Sequence, residues 1–152
     1  MAAGSFIFPD KAKLNFFSAT NLLGANAANF KLALIGSAWA PANSTDEVFA
    51  DVSGEIAAGN GYAAGGVALT SVSLAQAGGV IKFTSAAAQW TASGGSIPAW
   101  RRGVVYYNGT LNGKVNPIVG HFLGDSTPAD VPATTVGNTL TFTPNASGIL
   151  TA

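Results

Sequence analysis

The chain has 152 residues, of which 48% are hydrophobic and 9% charged; seven basic and seven acidic side chains cancel, and cysteine is absent. That length suits one domain around one core, and that hydrophobic fraction excludes a solvated disordered chain. The missing cysteines exclude disulfides, cysteine–zinc sites, iron–sulfur clusters and thiol nucleophiles, while a charge content far below the roughly 25% of average domains leaves a neutral surface suited to meeting other protein.

Taken in order, Ser5-Phe6-Ile7-Phe8-Pro9-Asp10 is short, apolar and closed by a proline that cannot donate to a strand ladder. Residues 1–9 are therefore expected to form an apolar N-terminal arm, docked on a neighbouring copy. Residues 11–23 carry Leu14, Phe17, Leu22 and Leu23 at a loose spacing that fits either a helix or irregular structure. Phe30-Lys31-Leu32-Ala33-Leu34-Ile35 reads as a strand, with Phe30, Leu32 and Leu34 on one face. Residues 36–43, with Trp39 and Pro41, read as its exit loop. Ser44-Thr45-Asp46-Glu47 has the pattern of a capping box, which predicts one short helix over about 45–52 with Val48, Phe49 and Val52 inward and Gly54 as its stop.

The run Gly59-Asn60-Gly61-Tyr62-Ala63-Ala64-Gly65-Gly66 reads as a flexible connection. Five further strands are expected at 67–74, 80–84 (with a possible continuation to Trp90), 100–107, 118–123 and 139–143. Leu140 and Phe142 alternate with Thr139, Thr141 and Thr143, the pattern of a half-buried strand. Gly103-Val104-Val105-Tyr106-Tyr107 is apolar on both faces and belongs mid-sheet. These features predict a mainly β fold, an antiparallel β-sandwich or barrel-like single domain over residues 10–152.

Few residues of the chain carry the patterns of reactive chemistry. His121 is the one histidine, set in a predicted strand where it alternates with Gly120 and Phe122, without a serine motif beside it. The carboxylates Asp10, Asp46, Glu47, Asp51, Glu55, Asp125 and Asp130 follow no calcium-loop order. The glycine run precedes a strand where a phosphate loop opens a helix, and it has no Walker lysine. No catalytic residue, cofactor or metal site is expected. Lys and Arg are too sparse for nucleic acid, apolar runs too short for a membrane span, and the start of the chain lacks the basic residues of a secretory signal. The residues expected to touch a partner are the arm side chains Phe6, Ile7 and Phe8, the loop aromatics Trp39 and Tyr62, and the adjacent Arg101 and Arg102.

The order of segments carries a resemblance. Phe30–Ile35 is followed by Ser37-Ala38-Trp39-Ala40-Pro41, then Thr45-Asp46-Glu47, then Gly59-Asn60-Gly61-Tyr62 leading into Gly66-Val67-Ala68-Leu69. Later come Ala88-Gln89-Trp90, Gly103-Val104-Val105-Tyr106-Tyr107, Pro117-Ile118-Val119-Gly120 and Leu140-Thr141-Phe142-Thr143 before Gly148-Ile149. Over most of its length this resembles small structural proteins of tailed-bacteriophage virions. The resemblance rests on strands and turns, not on a catalytic motif. It implies a non-enzymatic particle component made in the bacterial host cytoplasm, of the capsid decoration or cement type. Such a protein would bind the major capsid protein or another virion protein as a homo-oligomer, with a trimer favoured by the threefold positions of a shell. A tail or fibre component, or a receptor- or glycan-binding module on the virion, is the alternative.

Overall fold

The computed structural model describes residues 4–9, 12, 29–77, 80–146 and 148–151. The possible helix at 11–23 lies outside the described residues, except for Ala12. The strands are β1 (Phe30–Ile35), β2 (Val67–Ala68), β3 (Ser73–Ala77), β4 (Val80–Thr84), β5 (Ala88–Thr91), β6 (Arg102–Tyr107), β7 (Thr110–Leu111), β8 (Lys114–Val115), β9 (Ile118–Leu123), β10 (Thr139–Phe142) and β11 (Leu150–Thr151). All pairing between them is antiparallel. The largest sheet runs β2-β1-β6-β9, beside the smaller groups β10-β5, β11-β4-β3 and the β7-β8 hairpin. The fold is mainly β and sandwich-like, and no barrel closes among the described residues.

The β6 sequence, apolar on both faces, takes the central place expected of it, between β1 and β9. Alternation then assigns two faces. Phe30, Leu32, Leu34, Val105, Tyr107 and Phe122 point to one side, where Phe83, Trp90, Ile97 and Ile149 complete the main core. Phe30 meets Phe83 edge-on at 5.1 Å, and Phe122 stacks on Phe142 at 4.8 Å, so the smaller sheets form the second layer. Burial of side chains this large contributes about 1.5–3 kcal/mol each, so stability concentrates here. On the opposite face Ala33, Ile35, Val104, Tyr106 and Ile118 are covered by Trp39, Phe49 and Val52. A loop does that work, not a sheet.

Several boundaries differ from expectation for local reasons. The 67–74 strand divides into β2 and β3 around Ser71, whose φ of 51° no strand accommodates. The continuation of β4 toward Trp90 is a separate strand, β5, which pairs with β10. Trp100 precedes β6 and makes an isolated bridge to Val131. A hairpin not anticipated from sequence joins β7 to β8 through Asn112 and Gly113, both at positive φ as a type I′ turn demands.

The helix expected over 45–52 contracts to a single 3-10 turn, Phe49–Asp51. Ser44 and Glu47 do not form the capping box. Asp46 Oδ2 accepts from the Ala42 amide (2.8 Å), and Asp51 Oδ2 accepts from the amides of Glu47 and Val48 (2.9 and 3.0 Å). Acidic side chains bonding to nearby amides compete with helix and win in so short a segment.

The glycine run is a defined turn, not a flexible link. Gly59 and Tyr62 exchange backbone hydrogen bonds of 2.8 and 2.9 Å across Asn60 and Gly61, both at positive φ. A Cβ on Gly61 would lie 1.9 Å from the Thr91 carbonyl oxygen. Glycine is required there for close packing on β5.

Candidate functional site

Polar side chains gather on a buried sheet face at the end of β6 and β9. Their register sets Val104 opposite His121 and Arg102 opposite Leu123, which makes Arg102 and His121 diagonal neighbours on the loop-covered face. A bulge is the reason. Gly120 pairs with Val105 but Ile118 pairs with Tyr106, so Val119 is an extra residue that brings Ile118 and His121 to the same face. Plain alternation would have separated them.

His121 is 2% exposed. Its Nε2 lies 3.0 Å from Asn43 Oδ1, and Trp39 stands edge-on at 5.4 Å between ring centres. Its Nδ1 and the buried Nε of Arg102 have no hydrogen-bond partner among the described residues. Burial pushes the imidazole pKa down to about 4; the Arg102 charge acts in the same direction and Asp46 opposes both. Burial, then the neighbouring Arg101, also lowers the Arg102 pKa. His121 is therefore neutral near pH 7. Its contacts with Asn43 and Trp39 tie loop 36–52 to the sheet.

The residues expected to touch a partner fall into three places. Trp39 and Tyr62, read as exposed loop anchors, are both buried and present no ring to solvent. Trp39 covers the sheet, and the Tyr62 hydroxyl accepts from the Leu34 amide (3.0 Å) while donating to Glu55 Oε1 (2.7 Å). Burial and the Glu55 carboxylate raise its pKa well above the usual phenol range. The same Glu55 oxygen accepts from the Gly65 amide, and Tyr106, its pKa pushed up to about 12 by burial, donates to the Gly65 carbonyl (2.8 Å). This network clamps the glycine turn to β1 and β6. Loop position in the sequence had suggested exposure, and nothing in the local pattern signals the reverse.

Arg101 and Arg102 diverge. Arg101 pairs with Asp130 at 2.7 Å on the surface, whereas Arg102 turns to the loop-covered face. Phe6, Ile7 and Phe8 lie along the outer edge of β9 of their own chain. Ile7 and His121 exchange backbone hydrogen bonds of 2.6 and 3.0 Å, and the Gly4 amide donates to the Leu123 carbonyl at 2.8 Å. Phe6 packs on the main core beside Phe122, Phe8 is half-buried, and Ile7 is 37% exposed.

No family model, curated protein or solved structure matches the chain. Asp46 and Asp51 hold backbone amides, Glu55 holds the tyrosine network, and Glu47 pairs with Lys114 at 2.8 Å. Asp125 accepts from the Thr127 amide and hydroxyl, which lowers its pKa, and Asp130 holds Arg101. Each described carboxylate has a structural partner. No group of three or more His, Asp or Glu side chains gathers among the described residues, and no described helix is long and apolar enough to cross a membrane.

Proposed function

We propose that this chain is a structural, assembly-forming domain of a tailed-bacteriophage virion, a capsid decoration protein that acts as a homo-oligomer on the assembled shell. The observation that carries the reading is the outer face of the β5–β10 pair. Gln89, Thr91, Thr139 and Thr141 form an exposed ladder, with Thr91 and Thr139 joined at 3.0 Å and Gln89 donating to Thr141 at 3.3 Å. Val136, 60% exposed, lies just before it. An uncharged, pre-bonded β surface opposes close approach of another protein very little, because few ions must lose their water. The resemblance of the segment order to small phage virion proteins is in keeping with this reading.

A decoration protein stabilises a shell by binding assembled subunits better than free ones, and oligomerisation adds avidity to weak single contacts. The glycan-binding alternative needs exposed rings to stack on sugar. Trp39, Trp90, Trp100, Tyr62, Tyr106 and Tyr107 are all buried, which removes that platform. The test is the protein content and cryo-electron microscopy of particles of the phage that encodes the chain. The chain is expected in purified heads, as density on the outer shell. Its absence from purified particles would refute the assignment, and its presence only in tails would move it there.

A further inference from the structure

Three Asn-Gly pairs occur in the chain, at 60–61, 108–109 and 112–113. An asparagine followed by glycine can close on itself: the glycine amide nitrogen attacks the asparagine Cγ and expels the side-chain nitrogen as ammonia. A Cβ on the following residue would hinder that approach, so glycine is the most permissive neighbour. The attack needs the pair to move freely, and the fold withholds that freedom at two of the three. The Asn60 side chain donates to the Ser96 carbonyl at 3.1 Å and packs on Gly95, while Gly61 lies against the Thr91 carbonyl. The Gly109 amide, the nucleophile of the second pair, donates to the Tyr107 carbonyl (3.1 Å) and to Asn116 Oδ1 (3.0 Å). The Asn108 amide is held as well, by the Asn29 carbonyl at 2.6 Å.

Asn112-Gly113 is differently placed. It is the exposed turn of the β7-β8 hairpin, whose strands have two residues each and, among the described residues, pair only with one another. So short a two-stranded hairpin is marginal by itself, and opens locally more readily than the main sheets. A Cβ on Gly113 would meet nothing within 4 Å. We propose that Asn112-Gly113 is a self-modification site, where the folded chain converts Asn112 to aspartate and isoaspartate through a cyclic imide. The bond from the Gly113 nitrogen to Asn112 Cγ forms, the Cγ–Nδ2 bond breaks, and ammonia leaves with the amide proton. Water then adds to one imide carbonyl and breaks its bond to the ring nitrogen, which takes back a proton. Opening at Cγ gives aspartate; opening at the main-chain carbonyl gives isoaspartate, with the backbone rerouted through Cβ and Cγ. That extra carbon falls in a turn that needs positive φ at both residues, so the type I′ geometry is lost. Half-buried Leu111 and the Lys114–Glu47 ion pair hang on the same hairpin. Either product adds one carboxylate to a chain whose charges otherwise cancel. The chemistry needs no partner and stands apart from the assembly proposed above.

Mass spectrometry of the full chain, held folded in mildly alkaline buffer at physiological temperature, tests the proposal. Trypsin cuts after Arg102 and Lys114 and releases a peptide that holds both Asn108-Gly109 and Asn112-Gly113. Fragment masses then place a gain of one mass unit at either asparagine. The same protein unfolded in urea supplies the reference rate for each of the three pairs. In the folded chain, conversion at Asn112 is expected to outpace that at Asn60 and Asn108 at least about tenfold, and in urea the gap should close. Isoaspartate, separated from aspartate by chromatography, is expected among the products. Similar rates at the three pairs of the folded chain overturn the proposal. So does an Asn112 that stays intact while the unfolded chain converts, and so does aspartate as the sole product, which would mean direct hydrolysis without the imide.

Discussion

The two faces of the β2-β1-β6-β9 sheet are built from the same strands and covered by different means. On one face, strands from the smaller sheets bring Phe83, Trp90 and Phe142 against Phe30, Val105 and Phe122, and every side chain in the layer is apolar or aromatic. On the other, loop 36–52 offers Trp39, Phe49 and Val52, and the sheet answers with Arg102 and His121 beside its apolar residues. A strand layer delivers an apolar side chain every second residue. A loop must also satisfy its own backbone, and here it does so through Asp46 and Asp51, while the Asn43 side chain meets His121. The first face therefore carries most of the stability, and the second carries its dependence on pH.

The largest expected difference comes from deleting one ring on each side. Phe83→Ala, in the strand-covered layer, should cost about 3–5 kcal/mol in urea unfolding. Phe49→Ala should cost about 1–2 kcal/mol, because that ring is half-buried and stacks on Tyr106 at 4.2 Å from one side. Equal losses would break the comparison.

The loop-covered face alone should answer to mild acid. The folded-state pKa of His121, about 4, lies below its ordinary value near 6.5. The unfolded chain thus binds the proton first, and stability present above pH 6.5 is lost as the pH falls toward 4. That loss is on the order of 3 kcal/mol. His121→Gln should flatten the slope across that window in a series of melting curves. A slope of the same size in the variant would assign the effect to another group.

Gly120→Ala places a methyl group against Phe6, and is expected to cost about 1–3 kcal/mol through overpacking. The smallest effect belongs to the outer ladder. Thr141→Val should change the melting free energy of the isolated protein by no more than about 0.5 kcal/mol, since it lies on the exposed face. A larger cost would show that the ladder supports the fold itself.

Much of the strand framework is legible in the sequence, because β10 alternates as a half-buried strand does, and β1, β6 and β9 are short apolar runs of the kind that lie buried on both faces. The polar corner is not. It depends on an extra residue at Val119 and on a pairing register between strands that are neighbours only in space. Trp39 and Tyr62 were misplaced for one reason: their loops fold back over the sheet, and a loop composition does not say what the loop covers. The Asp46 and Asp51 amide bonds likewise use residues that also suit a helix start, so the same letters supported the wrong element. The β7-β8 hairpin was not expected, although Asn112-Gly113 is a pair that favours such a turn.

The central claim is that this chain works by assembling. Light scattering coupled to size-exclusion chromatography of the full chain at micromolar concentration and above tests it most directly. The account predicts a particle of three times 15.2 kDa, and a single 15.2 kDa species throughout that range would contradict it.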